Sequence, residues 1–122
     1  MGFIVKLAEA IGLVSSGGIT PRIADNTKIT PLSNDYTYIP LQPEEERNNT
    51  VQFFVKPGAV LTLKRGVNGF YDQEGTFRYR SGLVTHYLVE GYFTKSDGTD
   101  ALRTLLIPKN IVRDRFILKR DK

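Results

Sequence analysis

Residues 83–107 read LVTHYLVEGYFTKSDGTDALRTLLI, and this stretch decides the fold class. Val84, His86, Leu88 and Glu90 alternate with Thr85, Tyr87 and Val89, the two-residue period of a strand. The run is rich in β-branched and aromatic residues, which suit a pleated, half-buried surface. Ser96-Asp97-Gly98-Thr99 interrupts it with an Asp-Gly hairpin signal, and Ala101–Ile107 reads as the returning strand. Gly91 marks a place where a bulge is expected.

The pattern continues upstream. Val51–Lys56 and Ala59–Arg65 flank Pro57-Gly58 and are expected to pair as a hairpin across it. Phe70–Tyr71 and Thr76–Arg80 flank Asp72–Gly75 and predict a second hairpin. Arg115–Lys119 reads as a last strand or as the end of a short helix from Asn110, which periodicity does not separate. With a short edge strand around Tyr36, Tyr38 and Ile39, the count is six to eight short strands. The fold class expected is mainly β: a small antiparallel sandwich, jelly-roll-like or barrel domain with an N-terminal helix and a long extended arm.

That arm is Ser15–Thr50, punctuated by Pro21, Pro31, Pro40 and Pro43. Each proline fixes its own φ and pushes the preceding residue toward extended geometry. Connections in compact domains are usually about 4–6 residues, so a stretch this long reads as an arm that binds neighbours. Ahead of it, Phe3, Ile4, Leu7, Ala8, Ile11 and Val14 recur at helical steps, and Ser15-Ser16-Gly17-Gly18 ends the run. The chain therefore divides into an apolar helix (1–14), the arm (15–50), a β domain (51–107) and a basic tail (108–122).

The net charge of +4 is not spread evenly. Residues 1–108 hold 11 basic and 11 acidic side chains. The excess sits in Lys109, Arg113, Arg115, Lys119, Arg120 and Lys122, against Asp114 and Asp121. This end is expected to be a solvated basic tail, or to meet an anionic partner such as nucleic acid or an acidic protein surface.

Catalysis is the least supported class. The absence of cysteine removes disulfides, thiolate catalysis and cysteine-based metal sites. His86 is the single histidine and lacks the nucleophile and orienting acid of a triad. The carboxylate pairs Asp72/Glu74 and Asp97/Asp100 sit in turns, where local hydrogen bonding accounts for them. The glycines match no phosphate-binding spacing. No catalytic residue, cofactor or metal site is expected.

The expected function is structural: a subunit of a large assembly, such as a minor capsid, vertex or tail component of a virus or phage particle. Phe3, Leu7, Ile11 and Val14 would bury a helix in a neighbour, and Ile19, Ile23, Ile29 and Tyr38 would set the arm's register on it. Partners would be other copies of the chain or other subunits. The second reading is a small β-barrel that binds single-stranded nucleic acid. Its residues would be Phe77, Arg78, Tyr79 and Arg80, although alternation sends the aromatics one way and the arginines the other. For a half-buried strand the default is aromatics into the core. No stretch reaches the roughly 18–20 apolar residues of a membrane span, and Lys6 and Glu9 interrupt what would be a signal peptide. The helix could still lie on a membrane interface, though protein burial is preferred. The localisation expected is the virion, or the cytoplasm if the chain is not viral.

Overall fold

The structure is a computed structural model and describes residues 23–40 and 52–119. It is mainly β: one curled antiparallel sheet that forms a half-barrel, with one short helix among the described residues. The strands are β1 (Thr27–Pro31), β2 (Thr37–Ile39), β3 (Phe53–Val55), β4 (Leu61–Val67), β5 (Gly69–Tyr71), β6 (Phe77–Tyr79), β7 (His86–Lys95), β8 (Asp100–Pro108) and β9 (Phe116–Leu118). The helix α1 is Lys109–Arg115. The N-terminal helix expected over 1–14 lies outside the described residues.

The β7–β8 hairpin is the spine, paired in unbroken register from His86↔Pro108 to Thr94↔Asp100. Its turn is the one expected: Gly98 N–H donates to Lys95 O at 2.8 Å, and Gly98 sits at φ +91°. The other edge of β7 carries β4 at His86–Glu90 and β3 at Thr94–Lys95. β3 and β4 therefore lie end to end along one strand's edge and do not pair with each other. This corrects the hairpin expected across Pro57-Gly58. The tight turn is present, with Ala59 N–H donating to Lys56 O at 3.1 Å. It pushes residues 56–60 out of the row instead of reversing the chain.

The next row repeats the device. β1 pairs with β4 and β2 with β3, so 32–36 leave the row at the same height as 56–60. Two interruptions side by side let the sheet bend there. β9 then adds to the free edge of β1. α1 runs from the end of β8 to the start of β9, the two outer strands of the curl, and places Val112 fully in the core.

Inward-facing residues follow the two-residue period. Val55, Leu61, Leu63, Tyr87, Val89, Phe93 and Ile107 are all buried in one cluster. Ile23, Ile29 and Phe116 complete it from outside the segment read as the β domain. The β unit is therefore wider than 51–107. It draws β1 and β2 from the segment read as arm, and α1 and β9 from the segment read as basic tail. Ile23 N–H donates to the Tyr87 hydroxyl at 3.0 Å, which satisfies a buried phenol.

Gly91 is not a bulge; it pairs regularly with Arg103. It is glycine because the Leu61 side chain lies where its Cβ would be. The bulge is in β4, between Leu63 and Arg65.

Candidate functional site

The β5–β6 ribbon forms a separate two-stranded sheet, in register Gly69↔Tyr79, Phe70↔Arg78 and Tyr71↔Phe77. Its turn is built by Asp72, whose Oδ1 accepts the N–H groups of Glu74 and Thr76, each at 2.9 Å. Gly75 follows at φ +85°, where glycine is strongly favoured. The Thr76 N–H, followed by the Arg78 guanidinium at 2.8 Å from Oδ2, holds the Asp72 carboxyl below its usual range.

The ribbon packs on the outer face of β7. Phe77 meets the His86 ring edge-on at 4.8 Å between centroids, and Tyr71 meets it at 5.8 Å. Tyr71 and Tyr79 flank Phe77 at 5.1 and 5.2 Å. His86 shares its face with Leu88 and Glu90, while Tyr87 and Val89 point into the core, as alternation requires. The Thr85 hydroxyl lies 2.8 Å from His86 Nδ1 and also accepts the Gly69 N–H at 3.0 Å. Burial lowers the His86 pKa, which favours the neutral imidazole.

The other face carries Phe70, Arg78 and Arg80. The Arg80 guanidinium stacks over Phe70 at 5.1 Å from the ring centroid, and its Nε donates to Asn68 Oδ1 at 2.8 Å. Asn68 Nδ2 donates to Leu83 O, so one side chain ties down the segment 80–83.

None of Phe70, Phe77 or Tyr79 enters the core cluster, which corrects the default for a half-buried strand. Among the described residues no second sheet covers the ribbon, and Tyr79 is 61% exposed and Leu83 72% exposed, with Phe70 also open. Phe70 thus shares a face with Arg78 and Arg80, while Tyr79 is open on the face that carries Phe77. Arg78 is ion-paired with Asp72, while Asn68 orients Arg80 without cancelling its charge; Asp72 and Glu74 equal the two arginines in number.

The other expected site residues fall elsewhere. Ile23 and Ile29 are fully buried in this chain's own core. The expectation that they set register on an adjacent subunit is corrected, because they are already used in folding. Tyr38 is exposed on β2, edge-on to Phe54 at 5.6 Å. Phe3, Leu7, Ile11, Val14 and Ile19 lie outside the described residues. Of the basic group, Lys109, Arg113 and Arg115 belong to α1 and Lys119 follows β9; Arg120 and Lys122 lie outside. Arg113 Nε is buried without a hydrogen-bond partner among the described residues. These four are therefore built into the fold instead of forming a free tail.

Sequence reasoning missed Asn68, Thr85 and Leu83 as parts of this site. A polar residue before a glycine gives no signal of long-range clamping. Among the described residues no group of His, Cys, Asp and Glu could hold a metal ion, and no helix is long and apolar enough to cross a membrane. Comparison with protein-family models, with curated proteins and with solved structures finds no match to this chain.

Proposed function

We propose that this chain is a structural subunit that associates with copies of itself in a larger assembly, and that the β5–β6 ribbon is a principal contact. The observation that carries the reading is the exposed Tyr79, Phe70 and Leu83 on and beside a ribbon whose two arginines are equalled in number by Asp72 and Glu74, with Arg78 ion-paired to Asp72. Aromatic residues and arginine dominate the energetic centres of protein interfaces. A ribbon with balanced charge favours a protein surface over a polyanion. The apolar residues Phe3, Leu7, Ile11 and Val14 are a second proposed contact, and a small virus or phage particle is the setting proposed for the assembly on architecture alone.

Sedimentation velocity tests this. A Tyr79→Ser/Leu83→Ser double variant, and separately a chain lacking residues 1–18, should sediment as smaller species than the intact chain. Both should keep the β circular-dichroism signal. An intact chain and variants with identical sedimentation would remove the reading.

The second reading is single-strand nucleic-acid binding, favoured by the stacked Arg80–Phe70 pair and the open Tyr79 ring. Fluorescence anisotropy with a labelled single-stranded oligonucleotide separates the two. Binding that weakens steeply with salt and is lost in Tyr79→Ala would favour this reading. The assembly reading expects no such binding.

A further inference from the structure

A second surface lies at the bend, on the outer face, where the two interrupted rows meet the start of β8. Thr94 faces outward there, buried at the floor, and donates from its hydroxyl to Asp100 Oδ1 at 2.7 Å. Lys56, from the Pro57-Gly58 turn, donates to Asp100 Oδ2 at 2.8 Å. Two hollows of about 250 and 320 Å³ adjoin across Thr94. Tyr36, from the 32–36 excursion, borders one and is 50% exposed; Tyr92 borders the other and is 63% exposed.

The chemistry is specific. Asp100 has used two of about four acceptor sites and Lys56 one of three donors, so both retain capacity that points into an open hollow. Their positions are fixed by each other and by Thr94. The pair is neutral overall: an anion would meet the carboxylate and a cation the ammonium. Groups that donate and accept at once, as adjacent hydroxyls do, satisfy both. The half-exposed tyrosine faces beside them suit an apolar ring surface. Proline-rich peptide, the other ligand of aromatic grooves, offers carbonyl acceptors for Lys56 but its prolines bring no N–H for Asp100.

We infer that this surface binds a neutral saccharide, one sugar ring stacking on Tyr92 while its vicinal hydroxyls bridge Asp100 and Lys56, which line the same hollow. The site is shallow and open, so single rings bind weakly, and many copies in an assembly would raise the avidity. The inference stands apart from the β5–β6 ribbon and does not depend on it.

Saturation-transfer NMR on the full chain tests it, with glucose, galactose, mannose and N-acetylglucosamine each at millimolar concentration. At least one sugar should receive saturation on its ring protons. Tyr92→Ala should weaken that sugar's binding on the order of tenfold, by loss of ring stacking. Asp100→Asn should weaken it by loss of the charged acceptor. Tyr36→Ala, in a surface excursion at the adjoining hollow, leaves the strands untouched and should weaken binding less than Tyr92→Ala. Transfer to no sugar in the panel, transfer unchanged in all three variants, or binding of a polyproline peptide at this surface in place of sugar would each overturn the inference.

Discussion

Gly91 and Leu61 show how a single residue constrains this sheet. Leu61 folds across β7 at the place where any other residue at 91 would put its Cβ. Gly91→Ala forces Leu61 out of its rotamer and should cost about 1–3 kcal/mol, measured as a fall in the urea midpoint with unchanged slope. His86 works through charge. Burial holds its pKa below the ordinary value near 6.5. The unfolded chain takes up a proton as pH falls through about 6.5, and the folded chain does so only at lower pH. Stability should therefore decline as pH drops from 6.5 toward the folded value. His86→Phe keeps a ring against Phe77 and removes the proton. Its unfolding midpoint should lose that pH dependence between pH 7 and 5. A midpoint for the native chain that is flat over this range would contradict the burial of a neutral imidazole.

The elements explain which parts of the fold were legible in the sequence. The β7–β8 hairpin was readable because long alternation and an Asp-Gly turn agree. The β5–β6 hairpin was readable for the same reason: four turn residues between two aromatic-rich runs. The β3/β4 pair was misread because Pro57-Gly58 makes the same local turn whether the chain reverses or only steps out of a row. Long-range pairing to β7 makes the choice, and it leaves no local trace. β1 was hidden for a related reason, being a short strand whose stability comes from its neighbours. Arg115–Lys119 was read as a last strand or the end of a helix, and the structure has both in turn, α1 ending at Arg115 and β9 beginning at Phe116. The proposed binding surfaces were half legible. The aromatic–arginine alternation at 77–80 was visible, but its exposure was not. The meeting of Tyr36, Lys56, Thr94 and Asp100 depends on two excursions aligning in space, which no sequence window contains.

At the scale of the whole molecule, the half-barrel folds around one core, and two surfaces of different chemistry lie outside it. The core uses residues from both the segment read as arm and the segment read as tail, which relieves the shortage of buried area that a 57-residue β block would face. Loss of Phe116, fully buried on β9, should therefore behave as a core lesion. Phe116→Ala is expected to cost about 3–5 kcal/mol in chemical denaturation. A tail that merely dangled would lose almost nothing. The exposed ribbon is proposed to serve self-association. Light scattering of the purified full-length chain, across a range of concentrations at low and high salt, measures it most directly. A defined oligomer that persists at high salt is expected, because the contact is aromatic and Asp72 and Glu74 equal the ribbon's arginines in number. A monomer at every concentration and both salts would contradict it.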